Sequence, residues 1–149
     1  MEVRQLSDVN PQLKAFTVLN RTAQSIQDVL KKDVAQYGMN LNEFAVLELL
    51  YHKGDQPIQQ IGRNILVANS SITYVVDKLE KKGYLYRRAC PDDRRVMYAA
   101  ITEPGKEFMD AYFPEHEKKI EAVFNVWSEE ENDIVIDLLK KAGHHAKEM

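Results

Sequence analysis

The stretch of residues 58–102 constrains the fold most, because two helical patterns and two strand patterns follow one another there. A short helix is predicted over 58–66, and apolar residues at helical spacing predict a second helix over 69–83. Residues 84–89 and 96–101 are rich in side chains that favour strands, and the loop between them contains proline and aspartate. This order predicts a helix-turn-helix followed by a β-hairpin, or wing.

The second helix of this motif has an apolar side and a polar side. Its apolar stripe, at helical spacing, consists of Ile72, Val75, Val76 and Leu79. On the other side, short hydrogen-bonding side chains come first and lysines last, which suits a helix entering a DNA major groove by its N-terminus. A plain solvent-exposed helix surface is the alternative. Asn69 or Ser70 is the predicted N-cap and Gly83 the predicted end. The candidate DNA contacts are Asn69, Ser70, Ser71, Thr73, Tyr74 and Lys78.

The predicted wing carries a second group of candidate DNA contacts. Arg94 and Arg95 lie at its tip, and a tip with two arginines can enter the minor groove, where the potential is most negative. Asp93, two residues before Arg95, can hold that guanidinium by a charge-assisted hydrogen bond. Arg87 on the ascending strand is a further candidate. A loop with paired surface charges is the alternative, but the neighbouring helix-turn-helix favours DNA contact.

Charge is distributed unevenly along the chain. The 149 residues carry a net charge of -3, which does not by itself indicate a nucleic-acid binder. Residues 58–95 hold eight basic and four acidic side chains, so this segment is +4 and the remainder is -7. Local charge governs phosphate contact more than total charge does, so the predicted motif is the part of the chain suited to DNA.

Composition indicates one globular domain located in the cytoplasm. The hydrophobic content of 44% allows a core, and there is no apolar run of the about 18 residues that a transmembrane helix needs. Residues 1–8 lack the apolar stretch of a signal peptide, so we expect no membrane association. A single cysteine excludes an internal disulfide framework and fits a reducing compartment.

Helices are also predicted before the motif. Residues 1–10 are expected to form a loose arm, and a long amphipathic helix should follow over 13–37 and end at Gly38. Asn42 is the predicted cap of the next helix, which Gly54 closes. The apolar stripe of the first helix is longer than one small winged helix can cover. It could pack on the C-terminal helices or on a second subunit.

Two more helices are predicted after the wing. Thr102 is the candidate cap of the first, and Pro114 inside it is expected to cause a kink. Ser128 and Glu131 form a capping box for the last helix, which is predicted to end at Gly143. The residues of this helix that we expect to face inward are Ile134, Val135, Leu138 and Leu139.

A series of short sequence motifs extends from the second helix of the helix-turn-helix to the helix after the wing. The series is Leu79-Glu80-x-x-Gly83, Arg87, Asp93-x-Arg95 and Ile101-Thr102-x-x-Gly105. In order and spacing it resembles the MarR-type winged-helix regulators of bacterial transcription. Gly62 stands where that family more often has Ala, and Asn42 where Thr or Ser is commoner. Both residues are compatible with the same turn and cap.

The resemblance implies a mostly α-helical fold with a small β-hairpin wing. Residues 39–105 would form a winged DNA-binding lobe, while 1–38 and 106–149 would form helices that intertwine with a second subunit in a homodimer. It also implies that Arg95, oriented by Asp93, enters the minor groove. Many members of the family take small aromatic or phenolic effectors between these parts, and the candidate walls here are Phe16, Phe44, Leu47, Phe108 and Tyr112.

The leading functional hypothesis is a ligand-responsive repressor that binds a palindromic operator in double-stranded DNA. A winged-helix module that binds another protein without reading DNA is the alternative, and the basic wing argues against it. An enzyme with Cys90 as nucleophile is a third hypothesis, which lacks a nearby histidine in sequence; Cys90 as an oxidant sensor also stays open. We expect no cofactor and no metal, because the adjacent His144 and His145 lack metal-site spacing.

Overall fold

The structure, a computed structural model, describes residues 10–65 and 69–149, and the side chains of Asn69 and Ser70 also lie outside this description. Within these residues the chain is mostly α-helical with a small antiparallel sheet, as predicted. The arm expected over residues 1–10 falls almost wholly outside the described part. In chain order the elements are α1 (Pro11–Ala35), α2 (Leu41–Lys53), β1 (Gln56–Pro57), α3 (Ile58–Asn64), α4 (Asn69–Lys81), β2 (Leu85–Ala89), β3 (Met97–Ile101), α5 (Glu103–Phe124) and α6 (Glu129–Glu148).

The chain divides into two compact units, one extending to Phe113 and one comprising Pro114–Met149. The first unit contains the helix-turn-helix and the sheet, and the second contains the end of α5 together with α6. Helix α5 is continuous through Pro114, and the kink expected there stays a prediction. The division at residues 39–105, with dimerisation helices on either side, stays a prediction.

The core of the first unit is built around the apolar stripe of α4. Ile72, Val75, Val76 and Leu79 are all buried, as the helical spacing predicted. Each such side chain stabilises the fold by roughly 1.5–3 kcal/mol when it is removed from water. The stripe packs with buried residues of the neighbouring helices and strands, among them Val34, Phe44, Leu47, Leu50, Ile61, Leu85, Ala99, Met109 and Tyr112.

The sheet has the strand order β1-β3-β2, and both pairings are antiparallel. Strands β2 and β3 form the predicted wing, with Leu85 opposite Ile101 and Ala89 opposite Met97. Strand β1 was not predicted, because two residues that include a proline show no alternation of apolar and polar side chains. It pairs with β3 and thereby attaches the base of the wing to the start of α3.

The N-terminal cap of α2 differs from the prediction. Asn40, not Asn42, accepts the backbone N–H of Glu43, and Glu43 in turn accepts the backbone N–H of Asn40. The preceding turn ends at Gly38, which has a φ of 73°. That turn starts the helix two residues earlier than expected, so Asn42 lies inside the first turn of α2. A capping box is a reciprocal pair, and only Asn40 has a glutamate three residues later.

A compact joint connects the end of α4 to the start of α5. Gly83 closes α4 with a φ of 81°, as predicted for the residue after a helix. Thr102 caps α5 as predicted, because its hydroxyl accepts the N–H of Gly105 at 3.1 Å and donates to the carbonyl of Gly83 at 2.6 Å. A side chain on Gly105 would bring its Cβ within 2.2 Å of the Tyr84 carbonyl oxygen, so this approach requires glycine.

Helix α6 begins as predicted and ends later than predicted. Ser128 and Glu131 form the expected capping box. The helix then continues through Gly143 to Glu148, so the prediction that Gly143 ends it was wrong. An interior glycine costs a helix only about 1 kcal/mol, and Gly143 lies between residues such as Ala142 and Ala146 that favour helix.

The apolar residues of α6 are not buried within one chain. Ile134, Leu138 and Leu139 are exposed and Val135 is half-buried, so the expectation that they face inward fails for the single chain. The apolar residues of α1 behave alike, because only Val34 near its end is buried and Phe16 is 63% exposed. Both helices therefore carry apolar surface that remains exposed among the described residues.

Candidate nucleic-acid interface

Helix α4 presents its polar side to solvent, as the sequence pattern predicted. Ser71 and Thr73 are exposed, and Tyr74 is 60% exposed, while the opposite side of the helix is buried. Three predicted base readers therefore lie together on the accessible side of the first two turns. Asn69 and Ser70 belong to the same helix, but their predicted contacts lie outside the described side chains.

Tyr74 and Lys78 form a pair on this surface. The Lys78 ammonium lies 5.0 Å from the centre of the Tyr74 ring, one helical turn away. A cation above an aromatic ring gains about 0.5–1 kcal/mol at an exposed position. The contact orients the phenol and the cation together, so a predicted base reader and a predicted phosphate contact lie side by side.

The Arg87 guanidinium is paired with two carboxylates of the protein. It donates to Asp77 at 2.5 Å and to Glu80 at 2.8 Å, and the backbone N–H of Arg87 also donates to Glu80. The two carboxylates are three residues apart on α4, so they lie on one side of that helix. Arg87 therefore connects strand β2 of the wing to α4, and its predicted contact with DNA stays a prediction.

Arg88, its neighbour, is held at the base of the wing by two contacts. It donates to Asp55 at 2.9 Å, and its guanidinium lies 4.5 Å from the centre of the Tyr98 ring. Tyr98 is the residue opposite Arg88 in the pairing of β2 with β3. The pairing of Arg88 was not predicted, because its carboxylate partner lies 33 residues away in the chain.

At the tip of the wing, Asp93 holds Arg95 as the sequence predicted. The Arg95 guanidinium donates to both carboxylate oxygens of Asp93, at 3.1 and 3.3 Å, and its backbone N–H donates to the same side chain. These hydrogen bonds from Arg95 hold the pKa of Asp93 below its ordinary value, so the carboxylate stays charged at neutral pH. The Arg95 side chain is nevertheless 91% exposed, and Arg94 beside it is exposed too.

A cleft of about 260 Å³ separates the wing from α4 and the start of α3. It brings Thr73 of the helix together with Arg87 and Arg95 of the wing, so three predicted DNA contacts share one concave surface. Hydrogen-bond donors of this kind are what a phosphate oxygen requires. The cleft is lined by Pro57, Ile58, Gln59, Thr73, Arg87, Arg95, Val96 and Met97.

The residues predicted as effector walls are mostly core residues in this chain. Phe44, Leu47 and Tyr112 are buried, and Phe108 packs against the same cluster. Phe16 is exposed and is not part of that cluster. The single chain therefore brings four of the five residues together and leaves Phe16 apart, and their role as ligand contacts stays a prediction.

Tyr112 connects α5 to α1 through its hydroxyl and to the turn after α1 through its ring. The hydroxyl donates to Asp33 at 2.7 Å, and the ring lies 4.5 Å from that of Tyr37. Burial of the phenol and the hydrogen bond to Asp33 raise the pKa of Tyr112 above its ordinary value. Tyr37 is half exposed and also contacts Phe108 edge-on, so an aromatic group near the end of α1 remains open to solvent on one side.

Other candidate chemistry is sparse in the described residues. Cys90 is half-buried where β2 ends, and its N–H donates to the Val96 carbonyl. Within residues 10–65 and 69–149, no three His, Cys, Asp or Glu side chains are grouped as metal ligands would be. None of the helices that the structure describes combines the length and hydropathy needed to cross a membrane.

The sequence profile of the MarR family matches residues 39–97. The regulator MhqR of Bacillus subtilis, an HTH-type transcriptional regulator, is 53% identical over 136 residues, covering 91% of this chain and 94% of that protein. A relative this similar over nearly the full length of both chains shows that they share one family.

Two solved structures share the fold at lower sequence identity. Sco3205 of Streptomyces coelicolor, a MarR family transcriptional regulator in complex with DNA, has a TM-score of 0.81 at 19% identity, covering 88% of this chain and 84% of its own. BpsR of Bordetella bronchiseptica, whose DNA binding is regulated by 6-hydroxynicotinic acid, has a TM-score of 0.79 at 18% identity, covering 87% and 98%. At these identities the likeness establishes the fold alone.

Proposed function

This chain belongs to the MarR family of transcription regulators, and we propose that it acts as a repressor that binds a palindromic operator as a homodimer. The observation that carries the proposal is the bidentate hold of Asp93 on an exposed Arg95 at the wing tip. Fixing a guanidinium before binding reduces the entropy that a long side chain loses in the complex. An arginine presented in this way suits the narrow, negative minor groove.

Helix α4 supplies the second part of the proposed contact. Its exposed Ser71 and Thr73 would read base edges in the major groove, and Lys78 would contact the backbone. The cleft beside Thr73 and Arg95 would receive the phosphates between the two grooves. Base contacts would set the sequence bound, whereas the phosphate contacts would contribute affinity to every sequence.

A homodimer is proposed because α1 and α6 carry apolar side chains that one chain leaves exposed. Phe16, Leu19 and Leu138 are all at least 47% exposed. A second copy would bury them and would place two α4 helices on one side of the assembly. Two-fold readers bind half-sites one helical turn apart, about 34–36 Å, and this is the reason for expecting a palindrome.

The experiment that tests this proposal is selection of duplexes from a random library, followed by filter binding of the selected sequence. We expect a palindromic consensus and a stoichiometry of two chains per duplex. A scrambled duplex of equal length is the control, and it should bind more weakly at the same salt concentration. Absence of binding to any duplex, together with capture of a protein partner, would favour the protein-interaction alternative.

A small aromatic or phenolic effector is proposed as the signal. The support is the cluster of Tyr37, Phe108 and Tyr112, which joins the end of α1 to α5 and is partly open at Tyr37. The regulation of BpsR by an aromatic acid is a precedent on this fold. A ligand can shift the dimer only by its different affinity for the binding and non-binding forms. About 1.4 kcal/mol of such preference changes the equilibrium tenfold.

The test of the effector proposal is an operator titration in the presence of phenols, quinones and aromatic acids. We expect at least one compound to weaken operator binding, and a Tyr37→Ala variant to respond less. If no compound has an effect while oxidation of Cys90 does, then the thiol is the sensor and the effector proposal fails.

A further inference from the structure

Among the residues whose burial the structure describes, Glu43 is the charged residue that is buried, with 2% exposure. One carboxylate oxygen accepts the backbone N–H of Asn40 in the capping box of α2, and the other accepts the Lys82 ammonium at 2.6 Å. The same ammonium donates to the carbonyl of Gly38 at 2.6 Å. Three segments of the chain therefore meet at one nitrogen atom.

These segments belong to different elements of the fold. Lys82 directly follows the last residue of α4, the helix proposed to read DNA. Gly38 lies in the turn after α1, the helix proposed to form the dimer, and Glu43 lies in the first turn of α2. Lys82 thus connects the end of the reading helix to the junction between α1 and α2.

Other lysines near this end of α4 make no comparable contact in the described structure. Lys78 lies over the Tyr74 ring, and Lys81 is exposed. A buried carboxylate attracts a cation strongly, because the surrounding protein screens charge less than water does. The Lys82 side chain is 34% exposed but is paired at its ammonium, so a movement that carries the C-terminal end of α4 away from α2 would break this pair or move the start of α2.

We propose that Lys82 is a positioning residue that sets the direction of α4 relative to α1 and thereby the half-site spacing that the dimer accepts. This inference rests on the proposed function, since it requires two α4 helices related by a dimer axis. Lys82 itself need not contact DNA. A palindrome is accepted only when its half-sites match the separation of the two reading helices.

The test compares variants on a series of duplexes whose half-sites are moved apart or together by one and two base pairs. Lys82→Met alone leaves a buried carboxylate without its cation and is expected to unfold more easily. The double variant Lys82→Met with Glu43→Gln removes both charges, and Glu43→Gln alone keeps the lysine and weakens the pair. Lys81→Met is the matched control, because it removes an exposed charge from the preceding residue.

We expect wild type and Lys81→Met to prefer one spacing over its neighbours by about tenfold, and the double variant by less than about threefold. Affinity for a single half-site should fall no further in the double variant than in Lys81→Met, which a general loss of structure would not permit. Glu43→Gln should give an intermediate preference, and it decides the question if the double variant does not fold. Lys82→Arg should restore the wild-type preference, since arginine can also pair with Glu43.

Two results would overturn the inference, and they are distinguishable. If wild type prefers one spacing and the charge-removing variants keep the same preference, then Lys82 has no positioning role, although the proposed function stands. If wild type binds no duplex at any spacing, then the proposed function fails and this inference fails with it.

Discussion

Asp93 accepts two hydrogen bonds from the Arg95 guanidinium at the tip of the wing, and the arginine remains exposed to solvent. The carboxylate therefore restricts the guanidinium to one direction without burying it. In the proposed complex, its contribution to binding would be the entropy that Arg95 no longer loses when DNA arrives. Arginine and aspartate thus have separate, measurable roles in the same contact.

Substitution of Arg95 and of Asp93 should change DNA affinity to different extents. Arg95→Ala should weaken binding of the selected duplex by about ten- to a hundredfold, because a charge-assisted contact is lost, whereas Asp93→Asn should cause a smaller loss. Fluorescence anisotropy titration at one salt concentration measures both. Asp92→Asn is the matched control, since it removes a neighbouring exposed charge. Wild-type affinity in Arg95→Ala would contradict the assignment.

The ion pair between Asp93 and Arg95 also determines how this contact should depend on pH. The pKa of Asp93 is lowered by Arg95, so the pair is fully formed above the ordinary pKa of an aspartate and is lost as pH falls through the lowered value. We therefore expect the ratio of wild-type to Asp93→Asn affinities to be constant between about pH 6 and 9. A ratio that changes over this range would show that another titrating group controls the tip.

The recognition helix should determine sequence preference rather than affinity alone. Substituting Ser71 and Thr73 by alanine should change the consensus, because a base contact contributes about 1–3 kcal/mol of discrimination. Lys78→Ala should weaken all sequences alike and reduce the salt slope by about 0.9. The measurement is a repeated selection from the random library. An unchanged consensus in the double alanine variant would remove α4 from its proposed role.

Tyr112 provides a prediction about stability. Tyr112→Phe keeps the buried ring and removes the hydrogen bond to Asp33, so the free energy of unfolding should fall by about 1–3 kcal/mol. The pKa of Tyr112 is raised in the folded protein, so its contribution is present below its ordinary pKa of 10 and declines as pH rises above it.

Urea unfolding of wild type and Tyr112→Phe at pH 7 and at about pH 11 measures this difference. The advantage of wild type should be smaller at the higher pH. Tyr86→Phe, at an exposed position on the wing, is the control and should unfold like wild type at both pH values. An advantage that is equal at both pH values would show that Tyr112 ionises normally.

We predict that the apolar sides of α1 and α6 are both needed for the homodimer. Wild type should sediment as a dimer at micromolar concentration, and Leu138→Lys should shift it toward monomer, because a charge would be placed on the apolar side of α6. Val126→Lys is the matched control, since Val126 is 78% exposed in the turn before α6. A stable wild-type monomer at micromolar concentration would refute the homodimer.

Local patterns in the sequence were sufficient for most of the fold. The stripe ending at Leu79, the capping box at Ser128 and the wing all depend on residues close together in the chain, and each was found within a few positions of its prediction. The hydrogen bonds from Arg95 to Asp93 were predictable for the same reason, because the two residues are two positions apart.

Contacts between distant residues were the part that the sequence did not reveal. Lys82 meets Glu43 across 39 residues, and Arg88 meets Asp55 across 33. Nothing local distinguishes these charges from ordinary surface charges, so only the packed chain identifies them. The exposure of Leu138 was missed for a related reason, since an apolar stripe indicates that a helix side is covered without indicating which chain covers it.

We propose that the wing tip and α4 hold DNA by contacts to phosphate and to both grooves. The most direct measurement is the affinity of wild type and of the Arg94→Ala, Arg95→Ala double variant for the selected duplex over a range of salt concentration. We predict a clearly negative slope of log K against log salt for wild type, with about -0.9 for each phosphate neutralised, and a shallower slope with weaker binding for the double variant. A salt-independent affinity, or equal affinities for the two proteins, would contradict the claim.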